Sequence, residues 1–117
     1  MEQRNGERKA VSLDAVVGCA RFGLIRGRIV DLGLGGLYIE AQTSIVPIGA
    51  EVSVTFRSGD AAGKEWLSVK GRVSHQSLEG FGIRFEAPGT HCIEVLQRYL
   101  PSMPPVSAKA APVLRVI

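Results

Sequence analysis

The chain has 117 residues, 45% of them hydrophobic and 21% charged, a balance that supplies one buried core, excludes a disordered polymer and leaves no room for a second domain. Its net charge of +3 comes from basic residues spread along the chain, too diffuse to argue for nucleic acid. No window approaches the ~18 apolar residues of a membrane span, and the start MEQRNGERK has no apolar signal-peptide core, so a cytoplasmic protein without membrane insertion is expected.

The first feature in chain order is RNGER, Arg4 to Arg8. Its two arginines have the spacing of neighbours on a helix face, but Asn5 and Gly6 are poor helix formers and the segment is too short to nucleate a helix. Residues 1–9 therefore read as a flexible arm. From Ala10 the pattern alternates, with Val11, Leu13, Ala15 and Val17 on one side, which is the period of a half-buried strand. A second strand runs from Gly23 to Val30 and breaks at DLGLGG; LYIEA, with Leu37, Ile39 and Ala41 on one face, makes the third. Pro47-Ile48-Gly49 punctuates before EVSVTF, and the loop RSGDAAGKE leads into WLSVKGRVSH. LEG is the next turn, before FGIRFE with Phe81, Ile83 and Phe85 on one face. Short strands at regular spacing predict a small antiparallel barrel or sandwich over residues 10–87.

After Pro88-Gly89 the period lengthens: Cys92, Ile93, Leu96, Tyr99 and Leu100 recur at three and four, with Thr90 as the expected N-cap and Pro101 as the stop. This helix, within residues 88–100, is expected to cover one end or face of the sheet. Residues 101–117 read as a flexible tail. The thiols of Cys19 and Cys92 are expected to stay free, as small apolar fillers in a reducing compartment.

Little in the sequence carries catalysis, and no enzyme is expected. His75 and His91 lack the partner spacing of a zinc site. Ser74 beside His75 is no triad, because neighbours on a strand point to opposite faces. GLGG at Gly33 to Gly36 is followed by strand, whereas a dinucleotide fingerprint opens a helix. EGFGIRF lacks the basic residue and the second aromatic of an RNA-recognition strand, so neither DNA nor RNA is expected as a partner. Arg72 and Arg84 read as solvated charges.

As an ordered set, RNGER, DLGLGG and GRVSH with GFGIRF resemble the PilZ domain over about residues 4 to 100. That family's signature is Arg, three residues, Arg, and later Asp or Asn, any residue, Ser, two residues, Gly. Arg4, Arg8, Asp31 and Gly36 match it, and Gly33 stands where the family has serine. The resemblance implies a mainly β fold, a six-stranded antiparallel split barrel with a C-terminal helix. It also implies a receptor with no cofactor that binds cyclic di-GMP, a bacterial second messenger, and acts on an unidentified downstream protein.

The implied ligand residues are Arg4, Arg8, Asp31, Gly33 and Gly36, with His75 nearby. A guanidinium forks onto guanine O6 and N7, pairs with phosphate or stacks on a purine, and the Asp31 carboxylate accepts from guanine N–H groups. Gly36 lets backbone N–H groups approach a ligand. Absence of the serine hydroxyl at 33 removes a hydrogen bond of about 0.5–1.5 kcal/mol. The alternatives are a PilZ-like interaction module that no longer binds the nucleotide, and an RNA-binding barrel.

Overall fold

A computed structural model describes residues 7–42, 46–57 and 65–106. Six strands form: β1 Lys9–Cys19, β2 Gly23–Leu32, β3 Gly36–Glu40, β4 Glu51–Arg57, β5 Trp66–Gln76 and β6 Gly80–Phe85, followed by one helix, α1, Thr90–Tyr99. Every pairing is antiparallel, and the order β1-β2-β3-β6-β5-β4 closes into a barrel through β1 and β4. The six-stranded barrel with a C-terminal helix is thus the architecture that the alternation and the family resemblance anticipate.

The alternation does the packing. Leu13, Ala15 and Val17 of β1, Leu37 and Ile39 of β3, Val52, Val54 and Phe56 of β4, and Phe81, Ile83 and Phe85 of β6 all point into one core. Between β3 and β4, Val46 is fully buried in the core, and its carbonyl accepts from the Gln76 side-chain amide.

The helix closes the fold with Cys92, Val95, Leu96 and Tyr99. Val95, not Ile93, is the residue that turns inward beside Leu96. Gly89, not Thr90, is the N-cap, in extended backbone and without a side-chain cap hydrogen bond; its carbonyl accepts from Ile93 N at 3.1 Å. Coming straight after Pro88, the chain turns into the helix one residue earlier than the hydroxyl signal suggests. Both thiols are free, Cys92 buried and Cys19 half-buried.

The register shifts at three places, in β1 between Ala10 and Leu13, in β2 and in β5, and the bulges of β2 and β5 shape one face. In β2 the register against β3 shifts between Ile29 and Asp31, so Asp31 and Leu32 stay in the sheet opposite Tyr38 and Leu37. The strand therefore runs two residues past the break expected at Val30, because the extra residue is absorbed without losing the ladder. In β5 the register against β6 shifts between Val73 and His75.

Residues 101–106, part of the expected tail, are tied down. A 3-10 turn spans Leu100–Ser102, and beyond it Lys9 bridges Pro105, with Ala10 N donating to Pro104 O at 2.7 Å and Val106 N to Arg8 O at 3.2 Å. Residues 107–117 and 1–6 lie outside the described residues. Among the described residues no helix is long and apolar enough to cross a membrane.

Candidate functional site

The arm and the glycine-rich turn meet at one end of β2. Arg8 Nη1 donates to Asp31 Oδ1 at 2.5 Å, with both side chains only partly exposed. The turn is closed by Gly33 N donating to Gly36 O at 2.9 Å, and the Glu7 carbonyl lies directly over Gly33. A Cβ there would stand 2.5 Å from the Glu7 oxygen and 3.1 Å from Arg8 Cδ. Glycine at 33 is thus what lets the arm settle on the turn. Gly36 has a reason of its own, since a Cβ would come within 2.3 Å of the Ile83 carbonyl on β6. Arg4, the arm's other arginine, lies outside the described residues.

From Asp31 a row of outward positions runs across four strands. Asp31 pairs with Tyr38, Tyr38 with Gly82, and Gly82 with His75. The His75 ring lies flat across Gly82, where a Cβ would be 2.2 Å from the ring, and leans toward Tyr38, ring centroids 5.8 Å apart and planes 16° from parallel. Tyr38 is fixed in turn by a hydroxyl contact with Ser77 Oγ. Together these side chains make a shallow aromatic shelf beside the Arg8–Asp31 pair.

The bulge in β5 overturns one sequence inference. On a regular strand Ser74 and His75 would face opposite ways; here both are exposed, and Ser74 Oγ lies 3.4 Å from His75 Nδ1. The extra residue turns His75 outward where strict alternation would have buried it.

The next outward row carries charge. Gly36 is opposite Arg84, and Arg84 is opposite Arg72. Arg72 is occupied: its Nε donates to Glu86 Oε2 and its Nη2 to Glu51 Oε2, each at 2.6 Å, and Nη1 reaches the Gly49 carbonyl at 3.1 Å. The Glu86 hydrogen bond above all, with the field of both carboxylates, raises its pKa. Arg84 has no ion-pair partner among the described residues and stands next to the turn. Sequence reasoning passed over Tyr38 and read Arg84 only as a solvated charge. The signal for Tyr38 was its place two residues after Gly36, on the outward side of β3.

Beneath the arm, a cavity of about 340 Å³ is lined by Glu7, Lys9, Leu34, Leu96, Leu100 and Pro101 among others, so arm, turn and helix share one surface. Lys9 Nζ stands 3.6 Å from Glu7 Oε2 along its rim. The arrangement offers cationic forks, a carboxylate, backbone amides at a tight turn and two aromatic rings on one side of the barrel. These are the groups that bind a planar, polyanionic nucleotide.

No curated protein matches the chain. The sequence model of the PilZ domain matches residues 2–101, which include the arm, the turn, all six strands and the helix, and the chain belongs to the PilZ domain family.

Proposed function

We propose that the chain is a cytoplasmic cyclic di-GMP receptor whose ligand binding changes the surface shown to a partner protein. PilZ domains are in general receptors for this nucleotide, and binding or adaptor domains instead of enzymes. The observation that carries the reading is the convergence of Arg8 with Asp31 at 2.5 Å beside the Gly33–Gly36 turn, with the Tyr38–His75 shelf alongside. In this reading the ligand takes over the Arg8 guanidinium for its phosphates and guanine edges. Asp31 accepts from guanine N–H groups, and Arg4 supplies the arm's second guanidinium. His75 and Tyr38 offer faces for a purine, and Arg84 a second cation.

The output follows from the backbone of the same arginine. Arg8 O accepts from Val106 N, and Ala10 N donates to Pro104 O, so a ligand that shifts Arg8 shifts the C-terminal segment as well. The partner would read that rearranged segment and the arm.

Titration calorimetry with cyclic di-GMP tests the reading. Wild type is expected to bind, and Arg8→Ala to bind about 10- to 100-fold more weakly, the effect of one lost charge-assisted contact of roughly 1.5–3 kcal/mol. No heat from wild type at tens of micromolar protein would count against it.

A second reading, an interaction module that has lost the nucleotide, is favoured by one observation: Arg8 and Asp31 already neutralise each other over a glycine that replaces the family's serine. It expects amide shifts unchanged on adding the nucleotide.

A further inference from the structure

The far end of β2 is open. Of its ten residues, β3 covers only Arg28 to Leu32, whereas β1 pairs with it down to Gly23. Among the described residues nothing pairs with the other side of Gly23–Gly27. That leaves a free edge of five residues, about 17 Å long, with alternate N–H and C=O groups unpaired. None of the described residues returns to cover it: after Glu40, Ala41 N donates to Glu79 O at 2.9 Å, so residues 41–42 lean toward the β5–β6 turn. Between the edge and that turn lies a groove of about 1030 Å³, lined by Leu24, Arg26, Glu40, Gln42, Leu78 and others. Gly27 lines it too, and a Cβ there would stand 2.5 Å from the Glu40 carbonyl.

Proteins usually blunt a free edge with charge. Arg26 obeys that rule and Leu24 does not. Leu24 is 78% exposed and Leu78, in the same groove, 97%. Leu24 and Arg26 alternate on the outward face while Ile25 enters the core. Of the two arginines here, Arg28 is engaged by Asp14 at 3.7 Å and by Ser12 Oγ at 3.1 Å; Arg26 has no partner among the described residues.

We propose that the Gly23–Gly27 edge of β2 docks an extended segment of a partner protein by strand addition. That segment carries an aliphatic side chain to lie against Leu24 and Leu78 and, two residues away on the same face, a carboxylate for Arg26. Main-chain hydrogen bonds supply the affinity and the alternate side chains the selectivity. A second copy of this chain fits less well, because its own Gly23–Gly27 edge brings another Arg26 and none of those five residues carries a carboxylate to meet it. The edge lies at the opposite end of β2 from Asp31, so this inference stands apart from nucleotide binding.

The test uses the full chain and a capped peptide of alternating threonine and valine whose central valine is replaced by aspartate. Amide shifts confined to Gly23–Gly27 and the β5–β6 turn are expected, saturating by roughly 1 mM peptide. N-methylation of alternate peptide nitrogens should abolish them. A lysine in place of the aspartate should weaken binding about two- to five-fold, and Arg26→Glu should reverse that preference. Three outcomes overturn the proposal: no saturable shift at this edge, equal binding of the N-methylated peptide, or sedimentation showing a dimer that Arg26→Glu dissolves, which would make a second copy the occupant. Arg26 is exposed on the strand's outer face, so its substitution leaves the fold intact.

Discussion

The Glu7 carbonyl oxygen stands 2.5 Å from the position a Cβ at Gly33 would take, and the obstacle is backbone, which cannot swing away as a side chain can. Gly33→Ser, which restores the family's residue, therefore does two opposed things: it supplies a hydroxyl and it pushes the arm off the turn. In the ligand-free protein only the push operates. The variant is expected to lose about 1–3 kcal/mol, the usual range for an overpacked site, and to expose the Ala10 amide as its bond to Pro104 loosens. Urea denaturation and amide exchange check this. An unchanged exchange rate at Ala10 would mean that the arm tolerates the side chain.

Gly82→Ala separates fold from site. The atoms its Cβ would strike belong to the end of the His75 ring, 2.2 Å away, and that ring is exposed and free to swing outward. Stability is expected to change by no more than about 0.5 kcal/mol, while the stacked arrangement with Tyr38 is lost. If the shelf carries part of the nucleotide affinity, calorimetry will show weaker binding by a protein that melts normally. Equal affinity would remove His75 and Tyr38 from the site.

The barrel was legible because period-two alternation and turn residues are local signals, and the buried rows of β1, β3, β4 and β6 obey them. The bulges were not. A bulge leaves the composition of a strand unchanged and only re-aims the side chains beyond it, so nothing in GRVSH announced that His75 would turn outward beside Ser74. The same blindness hid the shelf, since Tyr38 joins His75 only through Gly82 on the strand between them. At the turn, glycine at 33 reads in sequence as a missing hydroxyl; its role as the seat of the Glu7 carbonyl needs the long-range fold. The contact between Arg8–Ala10 and residues 104–106 joins the two ends of the domain, where local pattern has nothing to say.

Cys92 gives the protein a dependence on alkaline pH. Burial pushes its thiol pKa up, because the thiolate loses its hydration inside the core. The unfolded chain releases that proton near the ordinary value, about 8.5, while the folded chain keeps it. The folded state then binds more protons, so stability is full below about pH 8.5 and falls as the pH rises toward the folded-state pKa. Urea denaturation across pH 7–10 should show that decline, and Cys92→Ala should flatten it. An equal slope in both proteins would place its origin elsewhere.

The C-terminal segment holds the arginine-bearing arm through Val106 N to Arg8 O at 3.2 Å and Ala10 N to Pro104 O at 2.7 Å, both of them main-chain bonds in which no side chain takes part. Ending the chain after Ser102 removes both, and each such bond is worth about 0.5–1.5 kcal/mol net. The residues around Arg8 then lose part of their order before ligand arrives. If the nucleotide needs the arm where it now lies, truncation makes ligand binding supply that ordering, and affinity falls by about 5- to 100-fold for the two bonds together. If the nucleotide instead pulls the arm away from residues 104–106, truncation removes a competitor and affinity rises by a similar factor. Coupling of this kind is reciprocal, so the sign of the change in calorimetry tells whether ligand tightens or releases the C-terminal segment. Exchange at the Val106 amide in the full chain must then move the same way: slower with ligand in the first case, faster in the second. Equal affinity in the two proteins, with Val106 exchange indifferent to ligand, would show that the segment is a passive strap and that the signal leaves the barrel by another route.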